Sequence, residues 1–157
     1  MHEEHTALYD WLLFGHTVAA MAWLGSLVTL TVFAIGVSRS DDPAAVPNFF
    51  RSVRMVAPWV FGLSTFLVIA LGLWMVFDSD EWSLGQTWVW LGLLLFAAAI
   101  VVGALIAGRA NKRAERASAD GDRAEATRQL RRWALGMGLV LLVLITAVWD
   151  MVFRPGV

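Results

Sequence analysis

Cysteine is absent from the 157 residues. That excludes disulfides, c-type haem attachment and iron–sulfur clusters. Lysine occurs once, as Lys112 in a polar stretch, so a retinal-type Schiff base inside a membrane has no amine to use. Charged residues make up only 16% of the chain. Gly-rich phosphate loops, HExxH-type zinc sites and a serine nucleophile elbow are missing as well. What fills the chain is apolar: 59% of residues are hydrophobic and the mean hydropathy is +0.65. This balance excludes an ordinary globular enzyme, a disordered tail and a DNA-binding module.

The apolar residues come in runs. Segments 11–37, 56–77 and 87–108 contain no Asp, Glu, Lys or Arg, and 133–153 contains one acid, Asp150. Each reaches the ~20 residues that a helix needs to cross about 30 Å of hydrocarbon. Lipid offers no partner to a free backbone group, so each run is expected to be a helix that satisfies its own. The first run is no cleavable signal peptide: acids precede it, a basic n-region is lacking, and it is too long. The expectation is an all-α, integral membrane four-helix bundle forming one domain over 1–157, multi-pass in the cell membrane.

Charge placement orients it. Connectors 38–55 and 109–132 carry eleven of the twelve bases, whereas 1–10 and 78–86 carry acids and no base. The positive-inside rule puts both basic connectors in the cytoplasm and both termini outside. Topology and anionic lipid headgroups account for the bases, so the bilayer is the expected partner and nucleic acid is not.

Local signals refine the picture. Asp41-Asp42-Pro43 and Pro47 mark the start of a second helix in the cytoplasm, with Pro58 bending it further on. Ser83 is the expected N-cap of the third helix. The turn before the fourth falls near Ala119-Asp120-Gly121-Asp122, and Pro155-Gly156 ends the chain's last helix. Trp11, Trp74, Trp82, Trp88, Trp90 and Trp149 fall at outer ends, and Trp59 and Trp133 near inner ends, as an aromatic belt requires. Only Trp23 is mid-span. Ala99, Gly103 and Ala107 form a stripe of small residues that lets another helix approach.

Two ionisable groups lie inside spans, His16 and Asp150. His16 is five residues past Trp11 and Asp150 three before Phe153. At ~1.5 Å per residue both sit within about two turns of the outer surface. Intramembrane charge is costly and usually faces the bundle interior, so this pair is the default site. His16 is suited to ligate haem iron or copper, with Asp150 as its orienting or proton-linked partner; equally, His16 can serve only to hydrogen-bond a neighbouring helix while Asp150 reaches water at the interface. One histidine cannot supply bis-His ligation within a monomer. The second axial ligand is then a Met such as Met75, a water, or a His from another copy. His2 and His5, in Met-His-Glu-Glu-His, offer imidazoles that suit copper on the outer tail.

His16, six residues and then Trp23-Leu24-Gly25, set in LLFGHTVAAMAWLGSL, resembles the first helix of the CopD-like (copper-resistance D) membrane domain. It also resembles a related family of predicted integral membrane proteins of uncharacterised role. HemJ-type protoporphyrinogen oxidases share a similar His-to-Trp spacing. LGLWMV resembles the Thr-Gly ending of the second helix in those families, with Leu71 in place of Thr. MVFRPGV resembles their closing segment, with Arg154 where Lys is common. The resemblance implies that His16 is the functional histidine, linked to haem in the oxidases and to copper uptake in the CopD-like proteins.

Three functions follow as expectations. The leading one is a haem b or metal site near the outer leaflet in a redox or haem-handling role. There His16 is the ligand, Asp150 its partner and Trp23 a packing wall, in a monomer, a homodimer or a larger membrane complex. The alternative is copper binding or uptake, with His2, His5 and His16 as metal ligands. The third has no cofactor: a non-catalytic membrane subunit or scaffold packing through Ala99, Gly103 and Ala107.

Overall fold

A computed structural model describes residues 2–79 and 82–154, with the backbone alone over 2–6. The Pro155-Gly156 stop, the acids Asp80 and Glu81, and the side chains of His2 and His5 lie outside the described residues. The elements are α1 (His2–Val37), α2 (Ala45–Ala57), a π-helical segment (Pro58–Gly62), α3 (Leu63–Asp78), α4 (Thr87–Ala119) and α5 (Arg123–Phe153). Among the described residues there is no strand, and four helical stretches are long and apolar enough to cross a membrane.

Each span keeps a large apolar side chain on the outside. Met21 is 65% exposed, Phe66 66%, Leu94 65% and Leu142 62%. Water does not tolerate such a continuous apolar surface on a monomer, and a bilayer does.

α2, the π-segment and α3 run as one span, Ala45–Asp78. The Asp42 carboxylate accepts from the Ala44 amide at 2.9 Å, just ahead of this helix. Pro47 then sits in its first turn, where a missing N–H costs nothing. α2 is amphipathic: Val46, Phe49, Phe50 and Val53 are buried, while Arg51 and Arg54 are exposed. Pro58 opens the π-helical turn. Its ring has no N–H and collides with the carbonyl four residues back, so the helix widens there instead of breaking.

α4 and α5 form the closest helix pair, α1 packs on α3 and α5, and the order of elements makes neighbouring spans antiparallel. Gly92, Phe96, Ala99, Ala110, Ala114 and Ala117 of α4 face Leu130, Met137, Val140, Leu144 and Ala147 of α5 at spacings of three and four. That spacing is the one that interdigitates two helices over many turns. The hairpin between them turns at Gly121 (φ 72), and the Asp122 carboxylate caps α5 by accepting from the Glu125 amide at 2.9 Å.

The small-residue stripe is therefore partly taken up inside the chain. Ala99 is 2% exposed, and a Cβ on Gly103 would lie 3.8 Å from Val140 Cγ2. Ala99 is buried, while Gly103 and Ala107 stay half-exposed. Three expectations are corrected. α4 starts at Thr87 with Gln86 before it, so Ser83 is not its cap. Trp88 and Trp133, 7% and 2% exposed, belong to the core and not to the belt, because each faces a neighbouring helix.

The basic connectors meet at one end. Arg54 of α2 pairs with Glu115 of α4 at 2.6 Å. A cleft of about 320 Å³ lies between 40–47 and 118–127. Bases gathered at a single end are what the positive-inside rule requires.

Gly136 marks the tightest helix approach. A Cβ there would lie 2.7 Å from both Cγ2 and Cδ1 of Ile106. Ile106 is β-branched and stiff, so the helices must part. Gly136→Ala is expected to destabilise, overpacking of about 1–3 kcal/mol exceeding the 0.5–1 kcal/mol gained by removing a helical glycine. Gly138, whose Cβ would meet nothing within 4 Å, should give the opposite sign when changed to Ala. SDS titration in mixed micelles checks the pair.

Candidate functional site

The halves of α1 and α3 away from the basic connectors hold the histidine. Leu12, Ala19, Trp23 and Leu27 form the buried stripe of α1, and His16 falls in register with them, half-buried. Its Nδ1 lies 3.0 Å from the Val68 carbonyl of α3. A carbonyl only accepts, so Nδ1 carries the hydrogen and donates it. The neutral ring then keeps its lone pair on Nε2.

Gly72 makes this approach possible. A Cβ at that position would lie 3.1 Å from His16 Cε1 and 3.3 Å from Nδ1. Val68 and Gly72 are one turn apart, so the imidazole sits against a turn of α3 whose second residue has no side chain. Met75 is buried at 7% exposure and lies three residues beyond Gly72 on the same face.

Asp150 and Trp23 face elsewhere. Asp150 is fully buried, at 0% exposure, and a Cβ on Gly92 of α4 would lie 3.3 Å from its Oδ2. Neither of its carboxylate oxygens has a hydrogen-bond partner. The group that orients His16 is the Val68 carbonyl, not Asp150. The helices turn the two groups to different neighbours, His16 to Val68 and Gly72, Asp150 to Gly92. Trp23 packs on Phe96 of α4, ring centroids 4.7 Å apart, and its buried Nε1 has no partner. Phe96 lies one turn of α4 from Gly92.

At the outer end Arg154 lies over Trp82 at 4.4 Å from the ring centroid and over Trp88 at 5.6 Å. Trp82 also meets Trp88 at 5.4 Å and Tyr9 at 5.7 Å. This cluster ties the end of α5 to the α3–α4 connector.

Sequence reasoning missed Val68, Gly72 and Gly92. A backbone carbonyl leaves no trace in sequence. The two glycines do: each is isolated in an apolar helix, where glycine costs stability unless something approaches closely. Among the described residues no three His, Asp or Glu side chains are grouped to hold a bare metal ion.

These features define a multi-pass integral membrane protein, a four-helix bundle with one half-buried histidine seated on a glycine. The chain belongs to the predicted integral membrane protein family DUF2269, whose family model matches residues 10–155. No curated protein and no solved structure matches it. The resemblance to predicted integral membrane proteins therefore holds at family level, and the family's description names neither haem nor copper.

Proposed function

We propose that this protein binds haem b near the outer leaflet through His16, in a redox or haem-handling role. One observation carries the reading: the His16 Nδ1 hydrogen bond to the Val68 carbonyl, in a seat cleared by Gly72. Ligating imidazoles commonly donate their other N–H to a carbonyl, which fixes the tautomer and makes the free nitrogen more basic. A porphyrin brings four in-plane donors, so a lone histidine suffices where a bare ion needs a cluster. His16 would hold the haem, with Met75 as the candidate second ligand from this chain. A haem bound there supplies one-electron exchange.

The test is an optical spectrum of the protein in mild detergent, oxidised and dithionite-reduced, with metal analysis on the same sample. The expected result is a Soret band with reduced b-type features, lost in His16→Ala. Full haem content in His16→Ala overturns the reading, as does failure of the folded protein to take up added haemin. A featureless spectrum with stoichiometric copper replaces it with the copper reading, in which deleting residues 1–5 should weaken binding.

A further inference from the structure

We propose that Asp150 is a membrane-embedded proton-binding site. The inference goes beyond the haem reading and does not depend on a cofactor being bound.

The argument begins with placement. Asp150 is the only acid within the apolar run of the last span, on the stripe that continues Val140, Leu144 and Ala147 into the bundle. It has 0% exposure. Gly92 provides the space its carboxyl occupies, since a Cβ there would stand 3.3 Å from Oδ2. An outward-facing acid could reach the interface with its side chain. This one is turned the other way.

Both carboxylate oxygens are buried and neither accepts a hydrogen bond. A buried carboxylate is normally paired with a cation or held by several donors, because an isolated charge in a dry interior is costly. Among the described residues, the spans packed around it offer no counter-charge, and the ionisable groups ending α1 and α3 at this side, Asp10 and Asp78, are acids. α4 has no ionisable residue between Thr87 and Gly108, and α3 has none between Leu63 and Phe77. Between Asp10 and Arg39, α1 has only His16, whose Nδ1 is committed to Val68. On α5 itself the nearest base is Arg154, one turn on. Its guanidinium is held over the Trp82 and Trp88 rings instead.

The charge that best fits this site is therefore the smallest one. A proton neutralises the carboxyl with no change in the volume packed against Gly92. The site is three residues from the end of α5, on the end of the bundle opposite the basic connectors. That is about 5 Å of helix at ~1.5 Å per residue, close enough for exchange with water at that surface.

The test combines infrared spectroscopy with carboxyl chemistry on the full chain in detergent at neutral pH. The expected spectrum contains a carboxylic-acid C=O stretch that Asp150→Asn removes. A hydrophobic carbodiimide, which reacts with the acid and not the carboxylate, should leave an adduct on the Asp150 peptide of the wild-type protein. Adduct yield should fall as pH rises. The labelling needs no variant, so it decides the matter where Asp150→Asn does not fold. A wild-type spectrum with no acid stretch overturns the proposal, and so does an acid stretch that persists in a folded Asp150→Asn protein.

Discussion

Phe49→Ala is expected to cost about 3–5 kcal/mol of stability, the range for truncating a fully buried aromatic. Phe49 is 2% exposed, on the apolar face of α2 at the basic end of the bundle. Its ring meets Phe50 at 5.4 Å, Trp133 of α5 at 5.2 Å and Phe33 of α1 at 5.8 Å. The residue therefore joins three helices, edge-on to Phe50 and Trp133 and tilted against Phe33, through ring contacts that add to simple burial. Truncation leaves a cavity bounded by Trp133, whose buried Nε1 already lacks a partner. The surrounding helices are long and tied at both ends, so collapse into the gap is limited. Phe49→Leu keeps most of the volume and should lose much less. SDS titration of the three proteins in mixed micelles reads the difference. A loss below about 1 kcal/mol in Phe49→Ala, the ordinary size for a point substitution, would mean that α2 is not docked on the bundle in this way.

The membrane class and the four spans were legible because lipid imposes one requirement on the backbone, and an uncharged run longer than the hydrocarbon core is its direct signature. The turn at Gly121 was legible for a local reason, while the Asp122 cap beside it went unread. A left-handed residue at a helix end leaves a fixed residue type behind. Rotation of the spans was not legible. In water the buried face of a helix is apolar and the other polar, as in α2. In lipid both faces are apolar, so α1 reads the same all round and its buried stripe carries no contrast. That is why the neighbours of His16 and Asp150 could not be inferred from residue counts. It is also why Trp88 and Trp133, at belt depth, turned out to face other helices. The Ala99, Gly103 and Ala107 stripe shows the same limit: small residues announce a close approach without saying which helix makes it.

Gly72→Leu is expected to remove the same haem signal as His16→Ala while leaving the histidine in the chain. Any Cβ at Gly72 falls 3.1 Å from His16 Cε1 and 3.3 Å from Nδ1, and a leucine adds three more carbons in that direction. The ring is part-buried between two helices, so it cannot swing aside freely. Displacing it breaks the 3.0 Å hydrogen bond to Val68. A part-buried N–H left without a partner costs about 1–3 kcal/mol, which favours a new ring orientation over the old one. Gly72→Ala should show a partial loss, because the ring must give by only a few tenths of an ångström. The control lies on the facing helix. A Cβ at Gly15 would stand 3.1 Å from Leu71 Cδ1, the same distance, but that atom is the far end of a rotatable side chain. Gly15→Ala should therefore retain the spectrum. Equal losses in Gly15→Ala and Gly72→Ala would point to separation of α1 from α3 as the common cause. Loss confined to Gly72, with unchanged SDS midpoints, places the effect on the imidazole seat. Gly72 is then a positioning residue, acting through the ring it makes room for.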